Sequence, residues 1–293
     1  MPKNNKKLKF IDLFAWIGWF HLAFHNNWAE CVFSSEWDEH ARKTYETNFK
    51  KISPELFESW NFVWDITKID EKNIPDFDIL TWWFPCQPFS QAGQKKGFNE
   101  TRGTLFFDIA RIIKEKKPKA FFIENVRWLL NHDNWRTFSV IKETIENDLW
   151  YSFHYRIVKA SDFWLPQNRP RLFMVGFRDK DIDFSFPEGI PLKMTMSDVW
   201  GWKCAREIGF TLRVWWKWSD INDRRNWDAY LVNDEVKRLS PKEWKKMQWF
   251  PESFDFPVSK NEAMKQLWNS VAVPAIQAVA ENIILALTKK YHD

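Results

Sequence analysis

Three short motifs hold residue types that could carry out covalent chemistry together. The first, Phe84-Pro85-Cys86-Gln87-Pro88-Phe89-Ser90, sets a lone cysteine after the apolar run Phe77-Asp78-Ile79-Leu80-Thr81-Trp82-Trp83. That run reads as a buried strand ended by proline, and the C-terminal edge of a strand is where an open α/β sheet presents its chemistry. Cys86 is therefore the candidate nucleophile. In the second motif, Glu124-Asn125-Val126, the glutamate ends the apolar strand Ala120-Phe121-Phe122-Ile123. The third, Gln167-Asn168-Arg169-Pro170-Arg171, precedes another strand and supplies two permanent cations. A parallel sheet would bring Cys86 and Glu124 to one edge, with Arg169 and Arg171 closing over them. Singly, each has a plainer reading: a buried cysteine is usually inert, a strand-end glutamate caps, and an arginine pair lies at the surface. Together in one frame they point to a site.

The elements that must position them alternate along the chain. Lys9 to Phe14 reads as a strand, Ala15-Trp16-Ile17-Gly18-Trp19-Phe20 as a turn into a helical stretch through Phe24, and Ala29 to Ser35 as a second strand. A helix follows from Glu36-Trp37-Asp38 to about Asn48. Asp65-Ile66-Thr67 precedes a short helix. A helix over Thr104 to Lys116 places Leu105, Phe106, Ile109, Ile112 and Ile113 at helical spacing. A helix over Thr137 to Asn147 and strands over Tyr151 to Ala160 and Arg171 to Phe177 complete the series, the last two as a closing antiparallel pair. The order predicts an α/β fold, a doubly wound and mostly parallel sheet. Glu36 follows Gly18 by 18 residues, close to the spacing at which a Rossmann-like unit sets an acid on a ribose, although an acid at a helix start is more often a cap.

Beyond Arg178 the chain becomes loop-rich. From Trp202 to Lys246 there are 11 Lys and Arg against 7 Asp and Glu, an excess equal to the net charge of the whole molecule, +4. That basic surplus suits a polyanion, with an ordinary solvated surface as the alternative. Val273 to Leu287 is apolar at helical spacing and is expected to return to the first domain. Domains are expected at 1–182, 183–261 and 262–293. At 293 residues and 45% hydrophobic, the chain can bury a full core. No run of 18 apolar residues occurs, and the polar, basic start carries no secretory pattern. The three cysteines Cys31, Cys86 and Cys204 lie far apart, which indicates a reducing, cytoplasmic setting and no metal site.

With these motifs in this order, the chain resembles the C5-cytosine DNA methyltransferases of bacterial restriction-modification systems. The resemblance also rests on Asp12-Leu13-Phe14-Ala15, Glu36-Trp37-Asp38, Asp65-Ile66, Arg102-Gly103-Thr104-Leu105, Arg238-Leu239-Ser240-Pro241-Lys242-Glu243 and Asn269-Ser270-Val271. It implies a Rossmann-like catalytic domain and a smaller target-recognition domain reading duplex DNA in the major groove. It further implies S-adenosyl-L-methionine as cofactor, a paired restriction endonuclease and no membrane; a monomer suffices. Cys86 would add to carbon 6 of a flipped-out cytosine, Glu124 would protonate ring N3, and Arg169 and Arg171 would hold the base O2 and a phosphate, Arg171 the better candidate for the base. Phe14, Gly18, Glu36, Trp37, Asp65, Ile66, Pro85, Leu105, Asn269 and Ser270 would hold the cofactor. Phe14 and Trp37 would lie against adenine, Glu36 on the ribose and Asp65 on the adenine amine. Ser90, Gln91, Gly93, Gly97 and Arg102 would belong to a catalytic loop.

Where the family pattern has glycine, this chain repeatedly has tryptophan, most clearly at Trp16, Trp19, Trp83, Trp164, Trp249 and Trp268. Trp64, Trp82, Trp128, Trp150, Trp215, Trp216 and Trp218 look like further cases; native core packing or base stacking is the alternative. Trp16 and Trp19 are expected to fill the space where the backbone approaches the methionine half of the cofactor. Two other functions stay open: a tRNA cytosine-5 methyltransferase, and a catalytically silent DNA-binding protein.

Overall fold

The computed structural model describes residues 7–83, 105–212, 220–223 and 226–292. Seven strands form one sheet: β1 (Lys9–Leu13), β2 (Glu30–Ser35), β3 (Phe62–Val63), β4 (Ile79–Trp83), β5 (Ala120–Val126), β6 (His154–Lys159) and β7 (Pro170–Phe177). Their spatial order is β3-β2-β1-β4-β5-β7-β6. The first five run parallel, and β7 runs antiparallel to both β5 and β6. The chain winds outward from β1 through β2 to β3, then returns past β1 to lay down β4 and β5. The winding direction therefore reverses between β1 and β4, and the crevice at the C-terminal ends of two such strands is the usual ligand position in sheets of this kind.

Strand alternation explains why helices cover both faces. Phe10, Phe122, Phe173 and Val175 point into one core, with Phe20, Phe24, Ile276, Val279 and Ile283. Ile11, Leu13, Phe121, Ile123, Leu172 and Met174 point into the other, with Ile109, Ile112 and Ile113. The helices responsible are α1 (Trp19–Asn26), α2 (Glu39–Phe49), α3 (Pro54–Glu58), α4 (Leu105–Lys116) and α5 (Arg136–Glu143). Asp38 caps α2 by accepting from the Ala41 N–H at 2.9 Å. The helix expected over 137–147 is α-helical only to Glu143 and ends in a π turn, Thr144–Asp148. The expected strand over 151–160 begins at His154, because the Tyr151 N–H is taken by the Ile145 carbonyl.

After β7 come α6 (Met196–Trp200), the hairpin β8 (Ala229–Val232) with β9 (Glu235–Arg238), α7 (Pro241–Met247), α8 (Lys260–Asn269) and α9 (Val273–His292). Asn233 and Asp234 turn the hairpin with φ 49° and 63°, the left-handed pair that matches strand twist. The apolar side of α9 is buried in the same core as α1, as its periodicity predicts. No single helix among the described residues is long and apolar enough to cross a membrane.

Seven tryptophans, Trp16, Trp28, Trp60, Trp135, Trp150, Trp164 and Trp249, sit at φ between 52° and 71°. A side chain in that region costs roughly 1–2 kcal/mol per residue, a cost glycine does not bear. Trp16, Trp150, Trp164 and Trp249 are among the positions where the sequence pattern leads one to expect glycine; Trp28, Trp60 and Trp135 extend the set. Trp215, Trp216 and Trp218 lie outside the described residues.

Candidate active site

The ends of β1, β2, β4 and β5 define one edge. Leu13 pairs with Ser35 and with Trp82, and Trp83 pairs with Glu124. Glu124 is fully buried, and Arg171 Nε approaches its Oε1 at 2.9 Å. Burial pushes the Glu124 carboxyl up from its ordinary range, opposed by the charges of Arg171 and Arg169. Burial lowers the pKa of both arginines, yet a guanidinium keeps its proton in a protein. Arg169 is turned inward and nearly inaccessible, where its Nη2 donates to the Trp268 carbonyl. Its Nε and Nη1, both oxygens of Glu124 and the side-chain amide of Gln167 are buried without a hydrogen-bond partner among the described residues. For Glu124 the 2.9 Å contact is thus an ion pair without hydrogen-bond alignment. A cluster of unpaired donors and acceptors is costly unless a ligand or neighbouring chain satisfies it.

At the switch point the β1–α1 turn is held from above by Glu36. One carboxylate oxygen accepts the Trp16 N–H at 2.8 Å and the other the Asp38 N–H at 2.8 Å. Burial raises the Glu36 pKa from 4.5 to about 7, against the lowering effect of these backbone bonds. Gly18 has φ 86°, and a Cβ there would fall 2.2 Å from the Phe49 ring, so the turn needs glycine at that point. Trp37 is half exposed beside Glu36, while Phe14 is buried at φ 55°. Asp65 is tied into its own turn, accepting from the Thr67 backbone and hydroxyl, and those bonds lower its pKa. Ile66 is buried and Leu105 half-buried at the start of α4. Asn269 ends α8, and the buried Ser270 hydroxyl donates to the Gln266 carbonyl. Cys86, Pro85, Ser90, Gln91, Gly93, Gly97 and Arg102 lie outside the described residues.

Two further residues are given no role by sequence reasoning, although Asp12 belongs to the motif Asp12-Leu13-Phe14-Ala15. Asp12, next to last in β1, is fully buried, accepts from Thr81 Oγ1 at 3.1 Å and has its pKa raised well above the ordinary value by burial. A charged residue between Ile11 and Leu13 in an apolar strand was the available signal. Gln266 accepts the Trp16 indole N–H on its carbonyl at 2.9 Å and the Thr44 hydroxyl on its side chain at 2.9 Å. It stitches α8 to the turn, a long-range role no local pattern reveals.

S-adenosylmethionine, implied by the resemblance, would occupy the β1–β4 crevice. Glu36 and the open face of Trp37 fit its nucleoside half. The other half of the crevice is occupied by indoles: Trp16 and Trp19 are buried, and their rings lie 6.2 and 6.0 Å from that of Trp83. The residues there do not fit an aminoacyl group.

A cleft of about 530 Å³ adjoins the Gln167 to Arg171 segment, lined by Lys159, Ser161, Asn168, Arg206, Phe210 and Thr211 among others. Gly209 holds its two walls together. Its N–H donates to the Pro166 carbonyl at 2.8 Å, and its own carbonyl accepts from Asn168 at 3.0 Å.

A family model described as "C-5 cytosine-specific DNA methylase" matches residues 8–202 and 212–285. The chain is 44% identical to the Type II methyltransferase M.SsoII of Shigella sonnei, over 98% of this chain and 83% of that protein. It is 43% identical to the Type II methyltransferase M1.ScrFI of Lactococcus lactis subsp. cremoris, over 98% and 80% respectively. The crystal structure of a Spodoptera frugiperda DNMT2 mutant superposes with a TM-score of 0.71 at 15% identity, over 96% of this chain and 99% of that one.

Proposed function

The chain belongs to the C-5 cytosine-specific DNA methylase family, and from that membership we propose that it acts on a cytosine flipped out of duplex DNA, with Cys86 as nucleophile. The family and fold imply S-adenosylmethionine as methyl donor. The observation that carries the reading is the buried cluster of Glu124 and Arg169 with their unpaired polar atoms, beside Arg171. Cytosine offers an acceptor at N3, an acceptor at O2 and a donor at its amine. A protonated Glu124 donates to N3 and accepts from the amine, and a guanidinium donates to O2. Its raised pKa keeps a proton on Glu124 near neutrality, which a general acid requires.

Cys86 is tethered to this edge by three residues of chain after Trp83, the register partner of Glu124. Its thiolate adds to carbon 6, the carbon 5–carbon 6 double bond opens, and Glu124 delivers a proton to N3. Carbon 5 is then electron-rich and ready for an electrophile. The two described cysteines suit this chemistry less well: Cys31 is buried with its thiol pushed up, and Cys204 lies near the hairpin. The cleft at Asn168 and Arg206 is where the duplex backbone lies. Residues 183–261 form the target-recognition domain, between a catalytic domain over 1–182 and a returning segment over 262–293. A restriction endonuclease of the same specificity is the expected functional partner.

The test needs no cofactor. A carbon 5 made nucleophilic by thiol addition picks up a proton from water, and reversal releases the original one. Duplex DNA labelled with tritium at cytosine carbon 5 should therefore release label to water with the chain, and not with Cys86→Ala. Release from labelled tRNA but not from DNA would replace the substrate, and no release from either would leave a silent binder.

A further inference from the structure

We infer that Trp16, Trp19 and Trp83 close the aminoacyl half of the crevice between β1 and β4, so that this chain presents a nucleoside half-site and little more. The inference rests on the methyltransferase reading of that crevice. The winding reversal fixes where a ligand must enter, between the ends of β1 and β4. Trp16 lies three residues after the end of β1 and Trp83 is the last residue of β4. The Trp16 indole reaches across to α8, where its N–H is held by the Gln266 carbonyl at 2.9 Å, and Lys265 Nζ lies 5.8 Å from its ring. Trp19 opens α1 and stands edge-on to Trp83, with an interplanar angle of 83°. Three elements thus each send an indole into one crevice.

The chemistry of this wall is wrong for the group it would receive. An aminoacyl end carries an ammonium and a carboxylate, and both need hydrogen-bond partners once buried. The indoles offer carbon surface and three N–H groups. That of Trp16 is already spent on Gln266, and that of Trp19 is buried with no partner among the described residues. Three of the turn's backbone donors are spent as well: Ala15 N–H on the Ser35 carbonyl, Trp16 N–H on Glu36, and Gly18 N–H on the Ala15 carbonyl. A sulfonium favours an indole face, but two of the three rings are buried and packed against the third. Trp16 holds φ 52°, a backbone that glycine adopts without strain, so removing its side chain leaves the turn intact.

Calorimetric titration separates this from the cytosine chemistry, because it uses no DNA, whereas tritium release uses no cofactor. In the unaltered chain, S-adenosylmethionine should bind no tighter than adenosine, within about threefold. In the Trp16→Gly/Trp19→Gly variant, S-adenosylmethionine should gain at least about tenfold while adenosine stays level. Trp150→Gly, on a distant surface, should change neither. Trp83→Ala gives the same reading should the double variant fail to melt cooperatively. A tenfold preference for S-adenosylmethionine over adenosine in the unaltered chain would overturn the inference, as would a cooperatively folded crevice variant without the gain.

Discussion

Replacing Glu36 by glutamine should change not only the stability of the protein but also its dependence on pH. Glu36 is buried, and its pKa is raised from 4.5 to about 7, chiefly by desolvation. In the unfolded chain it titrates near 4.5. Below that pH both states hold the proton and full stability is present. As pH rises the unfolded state ionises first, so stability falls until the folded carboxyl also ionises near 7, and is then level. At about 1.4 kcal/mol per pKa unit the loss is on the order of 3 kcal/mol. A glutamine can accept only one of the two N–H bonds that the carboxyl takes from Trp16 and Asp38, which costs ~1–3 kcal/mol at every pH. The variant should therefore be the less stable protein at pH 5, and the gap should close or invert at pH 8. Glu124 titrates alike in both proteins, so it cancels in the difference. Urea unfolding at the two pH values, followed by circular dichroism, measures it. A gap of constant size would mean that Glu36 ionises in the fold without penalty.

Glu124→Gln should lower tritium release about 10²- to 10⁴-fold and remove the alkaline decline that deprotonation of Glu124 imposes on the parent; an unchanged pH–rate profile would take Glu124 out of the chemistry. Trp60→Gly and Trp150→Gly, at 87% and 71% exposed positions with φ 57° and 64°, should each relieve ~1–2 kcal/mol of strain, less the ~0.4–1 kcal/mol that glycine's freedom costs. The pair should melt a few degrees higher, and a lower melting temperature would show that the indoles contribute more than strain. Gly209→Ala puts a Cβ 2.6 Å from the Met247 methyl and 2.8 Å from the Met196 sulfur. It should cost ~1–3 kcal/mol and weaken DNA retention at constant salt, whereas retention unchanged in a destabilised variant would separate the cleft from DNA binding.

Much of the fold was legible because apolar runs and helical spacings are local signals. β5 is buried along six of its seven residues and reads as a central strand at once. The repeated strand–helix order also carries the parallel pairing of β1 to β5. The register that sets Trp83 opposite Glu124 is less accessible, since it depends on how two distant runs align. The motif at Gln167 to Arg171 announces two cations but not their fates. Arg169 is drawn inward to the Trp268 carbonyl, and only the return of α8 explains that direction. The turn at Thr144–Asp148 departs from the α pattern through backbone bonding that side-chain periodicity does not encode. The tryptophans at Trp28, Trp60 and Trp135 carry no motif, and only their positive φ marks them.

Attack of Cys86 on carbon 6 of cytosine leaves an adduct that can be trapped. Duplex DNA with nitrogen in place of carbon 5 accepts the thiol and a proton and releases both slowly, without any methyl donor. Denaturing mass spectrometry of the protein incubated with such DNA should show one covalent complex, and peptide mapping should place the nucleotide on Cys86. A complex mapped to Cys31 or Cys204, or an equal yield from Cys86→Ala, would show that Cys86 is not the nucleophile.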